Sequence, residues 1–176
     1  MNRHIDAFEA GFNWLLLFLA ALVAISIGLI AVLIPINLLL IKMTWGNIWW
    51  LYEGIEYTLY AGVFLGAPWV LQQGAHVRVD ILSAALPKSM AAQLERILDF
   101  AAAGLCLVLC YYGIRATISE YVDGTMPDKV LSIANWIILV VFAFSFFLLA
   151  IEFLLRVRRA REIVAKAETS ATKSGF

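Results

Sequence analysis

Residues 49–87 read WWLYEGIEYTLYAGVFLGAPWVLQQGAHVRVDILSAALP, and this stretch decides the fold. Its first part, from about Trp49 to Leu71, is mainly apolar and long enough to cross a bilayer, for which about 20 residues suffice. Two carboxylates, Glu53 and Glu56, lie one helical turn apart near its start. Gly54, Thr58, Gly62 and Gly66 recur every four residues, which lines small side chains along one helical face. In lipid, close backbone packing on such a face drives helix association. A polar segment with His76, Arg78 and Asp80 follows. Tryptophan favours the headgroup level, so Trp45, Trp49 and Trp50 mark one membrane surface.

The composition around this stretch agrees. The chain has 176 residues, 63% hydrophobic and only 15% charged, where a soluble domain carries about a quarter charged residues. The formal net charge is zero, so there is no basic bias toward nucleic acid. Upstream, Phe12 to Ile41 is almost wholly apolar, with Pro35 near its far end as a potential kink. Ala20, Ala24 and Gly28 repeat the four-residue spacing of small side chains. The start, with Arg3, His4, Asp6 and Glu9, lacks the pattern of a signal peptide, whose apolar core is roughly 7–15 residues, and this segment is expected to be retained. Downstream, Ile81, Leu82, Ala85 and Leu86 make an amphipathic stretch suited to an interfacial helix before the third span. Pro87 suits the first turn of the next helix.

The expectation is an all-α integral membrane protein with four transmembrane helices, at about 12–41, 49–71, 97–118 and 130–155. They form a single four-helix membrane domain over residues 1–168, and 169–176 is read as a flexible tail. Arg3, Arg78, Lys88, Arg96, Arg156, Arg158, Arg159, Arg161, Lys166 and Lys173 fall on one side. Only Lys42, Arg115 and Lys129 fall on the other. The positive-inside rule therefore puts both termini in the cytoplasm.

Charges within the spans are costly and draw attention. Glu53 and Glu56 lie at a depth similar to that of Arg115 near the outer end of the third span, which suggests an ion pair between them. Glu152 and Arg156, four apart, read as a local helical pair. Cys106 and Cys110, also four apart on one face, are poorly placed for a disulfide and read as two small buried side chains.

Chemistry of the chain's own is not indicated. The two histidines, His4 and His76, lie outside the spans, which disfavours an intramembrane haem. There is no phosphate loop, HExxH or nucleophile elbow. No catalytic residue, cofactor or metal site is expected. Four spans without a midplane charge are also unlike a complete secondary transporter. A free-standing small homo-oligomeric channel or exporter is the competing reading.

Glu53, the Glu56–Tyr57 pair, FLGA at Phe64 to Ala67, HVRVDIL at His76 to Leu82, and Pro87 resemble the small membrane subunit, DctQ type, of tripartite ATP-independent periplasmic (TRAP) transporters. One departure is Ala134–Asn135 before Trp136, where members of that family often have proline. The resemblance implies a multi-pass protein of the bacterial inner membrane and a scaffold subunit of a sodium-coupled system for organic acid uptake. It implies packing against a large membrane subunit of the DctM type and transient contact with a periplasmic binding protein of the DctP type. On that reading Glu53, Glu56 and Arg115 make polar contacts between subunits or spans. Gly54, Thr58, Gly62 and Gly66 pack helices, His76, Arg78 and Asp80 form the cytoplasmic loop, and the tryptophans set depth.

Overall fold

The computed structural model describes residues 3–73, 88–129 and 131–173. Among them the regular structure is all helical, with no strand. The described residues form four helices in order: α1 (Arg3–Lys42), α2 (Leu51–Gln72), α3 (Lys88–Asp123) and α4 (Asn135–Lys173). Three contain stretches long and apolar enough to cross a membrane: Ala7–Lys42, Arg96–Asp123 and Asn135–Arg159. With 22 residues α2 is also long enough, but its glutamates, tyrosines and glycines make it less apolar.

The boundaries differ from the sequence expectation in places. Helix α1 is already helical from Arg3, where a short polar start was expected, and it continues through Pro35. Helix α4 opens at Asn135 rather than near 130, because the backbone before it makes other bonds. The Leu131 N–H is taken by a side chain of α2, and the Ile133 N–H bonds to the Leu131 carbonyl at 2.8 Å. At its other end α4 remains helical to Lys173. The amphipathic stretch 81–86 lies outside the described residues.

Helix α1 ends in a Schellman motif. Trp45 N–H reaches the Leu40 carbonyl at 3.0 Å and Thr44 N–H the Ile41 carbonyl at 3.1 Å. This turn requires a left-handed residue, and Thr44 supplies it at φ 58°. Buried Asn37 then receives the Ile48 N–H at 2.7 Å and fixes the path into α2. Gly124, at φ 62°, ends α3 in the same left-handed region.

The helices are not a closed bundle. Helix α1 packs on α2, α2 on α4, and α4 on α3, whereas α3 makes no close backbone approach to α1 or α2. Helix α1 also touches α4 through side chains: Phe12 and Leu16 join Leu148 and Leu155 in the core. The α3–α4 seam is built from small residues. Ala103, Cys106, Cys110 and Gly113 are buried on α3 at the alternating three- and four-residue spacing of a coiled-coil seam. Ala143, Ala150 and Val157, seven apart, are buried on α4. The two thiols are free and buried.

Candidate functional site

Helix α2 lies between α1 and α4 and shows each a different face. Glu53, Tyr57, Tyr60 and Phe64 share one stripe, turned to α4. Tyr57 donates its hydroxyl hydrogen to the Leu131 carbonyl (3.3 Å), and Tyr60 donates to that of Ile138 (3.2 Å). Phe64 meets Phe142 edge-on, with ring centroids 5.3 Å apart. Pro68, inside α2, has no N–H, so the Phe64 carbonyl lacks its ordinary helical donor. Ser145 of α4, fully buried, donates its hydroxyl hydrogen to that oxygen. Along this face α2 and α4 run parallel.

The opposite stripe of α2 carries the small residues. At Gly62 an added Cβ would touch Val23 of α1 at 3.4 Å, an ordinary contact, and at Gly66 it would meet nothing within 4 Å. At Gly54 an added Cβ would instead come within 3.1 Å of the Trp50 ring of its own segment. Ala20, Ala24, Gly62 and Gly66 line an apolar groove of about 420 Å³ between α1 and α2. The tightest glycine among the described residues is one that the four-residue pattern did not reveal. A Cβ at Gly113 would come within 2.9 Å of Phe142 and 3.3 Å of the Ala143 backbone. Its signal in the sequence is the mixed three-and-four spacing with Cys106 and Cys110.

At the tryptophan end, both glutamates of α2 hold the connection between α3 and α4. The Lys129 ammonium donates to Glu56 at 2.7 Å and lies over the Tyr57 ring, 5.2 Å from its centroid. The Glu53 carboxylate accepts the Leu131 N–H. The hydrogen bond to Glu56 holds the Lys129 ammonium above the ordinary lysine range, against a smaller opposing effect of desolvation. The expected pairing of Arg115 with these carboxylates is not formed among the described residues. Arg115 is exposed on α3, and α3 does not pack on α2, so matched depth did not mean adjacency. Thr125 donates to Glu120, and Asn135 donates to the same carboxylate at 3.3 Å, joining the end of α3 to the start of α4. Trp45 and Trp49 are 75% and 60% exposed at this end.

A second polar cluster ties the opposite, basic end. Arg159 of α4 bonds to Glu9 of α1 and to Glu152, 3.1 Å away on its own helix. Glu152 is only 1% exposed. Arg156 faces Asp99 of α3 at 3.8 Å, which corrects the reading of Glu152 and Arg156 as a local pair. Gln72 of α2 donates to Asn13 of α1. This network joins residues as much as 150 apart in sequence, with no local pattern to announce it. His76, Arg78 and Asp80 lie outside the described residues. Among those described, no group of three or more His, Cys, Asp or Glu side chains could hold a metal.

The arrangement is one of polar side chains spent on holding helices together, within an apolar exterior. One family model, described as "Tripartite ATP-independent periplasmic transporters, DctQ component", matches residues 41–162. Comparisons with curated proteins and with solved structures gave no match.

Proposed function

The chain belongs to the DctQ component family of tripartite ATP-independent periplasmic transporters, and from that premise we propose that it acts as a four-span scaffold subunit bound to a large DctM-type membrane subunit. The family is a transporter component rather than an enzyme, and it works with DctM and DctP components. The fourth span is α2. Its two glutamates lie at the end next to the tryptophans and are used on the α3–α4 connection, which leaves an apolar body to cross the bilayer. Both termini are cytoplasmic, in the bacterial inner membrane.

The observation that carries the scaffold reading is the open arrangement of the helices. Helix α1 is covered along one side only, and Trp14, Leu17, Phe18, Ile25, Leu29 and Val32 stand exposed. Such a ribbon offers a broad apolar flank to a second membrane protein. The transport path, coupled to sodium and taking an organic acid, belongs to the large subunit. The DctP-type binding protein docks transiently over the tryptophan end, where the exposed Met126 and Asp128 are presented.

The test is a mild-detergent pull-down of the tagged chain from its native membrane, with mass spectrometry of the recovered proteins. A stoichiometric, much larger polytopic partner is expected. Recovery of the chain alone as a stable homo-oligomer would favour the channel or exporter reading instead.

A further inference from the structure

At the basic end, one groove between α3 and α4 has a different character from the apolar ones. It has a volume of about 440 Å³ and is lined by Gln93, Arg96, Ile97, Phe100, Ala101 and Val157. The polar pair lies at one end. Arg96 begins the apolar span of α3, and Phe100 and Ala101 lie four to five residues deeper, about 6–8 Å along the helix at 1.5 Å per residue. The Arg96 Nε is buried and has no hydrogen-bond acceptor among the described residues. A buried donor left unpaired is costly, and guanidinium is the group best shaped to take two oxygens of a phosphate. Asp99, the nearby carboxylate of α3, is already engaged with Arg156.

We propose that this groove binds an anionic phospholipid, with the phosphodiester at Arg96 and Gln93 and an acyl chain along Ile97, Phe100, Ala101 and Val157. The order from charge to hydrocarbon matches a lipid seated with its headgroup at the membrane surface. An anionic headgroup is favoured over a zwitterionic one, because Arg96 lies at the polar end of the groove and a headgroup ammonium would be set beside that cation. Arg156 and Arg159 nearby are already paired with Asp99, Glu9 and Glu152. Basic pockets between spanning helices on the cytoplasmic side are suited to such headgroups.

The test uses the full chain, purified in mild detergent and stripped of lipid. It is offered phosphatidylglycerol or phosphatidylcholine with identical acyl chains, and native mass spectrometry reads the lipid retained. Phosphatidylglycerol should be retained about tenfold better: both lipids offer the same phosphodiester to Arg96, but only phosphatidylcholine sets a cation beside it, and roughly 1.4 kcal/mol of like-charge repulsion is tenfold. Arg96→Ala should bring that ratio close to one. Ala101→Phe, which fills the groove and keeps the cation, should reduce retention of phosphatidylglycerol with unchanged helical content. Equal retention of the two lipids by the native chain overturns the proposal, as does a preference that survives Arg96→Ala. Should Arg96→Ala fail to fold, undiminished phosphatidylglycerol on Ala101→Phe overturns it. So does a complex with the large subunit in which a carboxylate of that subunit cross-links to position 96 and no lipid is retained.

Discussion

Ser145 donates its hydroxyl hydrogen to the carbonyl oxygen of Phe64, the oxygen that Pro68 leaves without its helical partner. The proline in α2 and the serine in α4 are therefore one device. Each alone looks like a defect: a helix breaker in one span, a hydroxyl in the middle of the other. Together they satisfy a carbonyl that lipid could not.

Ser145→Ala should lower the stability of the chain by about 1–3 kcal/mol, the cost of a buried acceptor left unpaired. Pro68→Ala restores an N–H at position 68, so the same serine substitution should cost markedly less in that background. The readout is a double-mutant cycle of thermal or denaturant unfolding in detergent, with coupling above about 0.5 kcal/mol. Strictly additive losses would show that the Ser145 hydroxyl has no part in completing α2.

The Lys129–Glu56 pair makes a different kind of contact, because it is open to water; the side chains are 33% and 64% exposed. Exposed pairs contribute little to global stability, so Lys129→Ala should loosen the 124–134 connection without unfolding the helices. The pH dependence has a definite sign. Glu56 holds the lysine above its ordinary range, so the contact is fully present below the unfolded lysine value and is lost as pH rises through the raised folded value. A spin label at Met126→Cys should report constant loop mobility from neutral pH into the mildly alkaline range. Mobility should then rise at strongly alkaline pH, and it should be high throughout in the Lys129→Ala background. A loop that loosens around pH 8 would contradict the pairing.

How far the structure could be read in advance depended on the range of the interaction. The helices were legible because each carries a long apolar run, and α2 was legible as the member with acidic residues at one end. The start of α4 was not, because the carboxylate that claims the Leu131 N–H comes from Glu53, 78 residues earlier. Nor was the partner of Glu56. Depth can be counted along a helix, but neighbours depend on the order α1–α2–α4–α3, which no single helix encodes. With α4 between them, Arg115 and Glu56 had matching depth and no contact. The Glu9–Arg159 link escaped for the same reason. The family resemblance around residues 49–87 survived these errors, since it rested on motif rather than on which helices touch.

Small residues illustrate the difference between a pattern and a contact. Gly62 and Gly66 fit the four-residue rule, yet a Cβ there finds ordinary contact or open space. Gly113 faces Phe142 and the Ala143 backbone at close range. Gly113→Leu should therefore force α3 away from α4 and cost about 1–3 kcal/mol, as overpacking does. Gly66→Leu should leave the stability of the isolated chain within about 0.5 kcal/mol. Unfolding in detergent compares the two directly, and equal losses would mean that the α1–α2 groove is closed in the solubilised chain. If Gly66→Leu instead spares the chain and abolishes recovery of the large subunit, that groove belongs to the subunit interface.

The basic end offers the sharpest energetic test, because it contains a buried charge. Glu152 is 1% exposed and depends on Arg159, which also reaches Glu9 and so fastens α1 to α4. Removing one partner of a buried pair strands the other, at about 3–5 kcal/mol. Arg159 is itself 35% exposed, so the lower part of that range applies. Arg159→Ala should thus lower stability by about 3 kcal/mol. Glu152→Gln keeps the shape and removes the charge, and it should recover a substantial part of that loss when combined with Arg159→Ala. Glu9→Ala should cost less, since it leaves Arg159 its bond to Glu152. The ranking is read from unfolding midpoints of the four variants. If Glu9→Ala is the most damaging, the main role of Arg159 is to hold α1 in place; if Glu152→Gln rescues nothing, the stranded carboxylate is not the source of the loss.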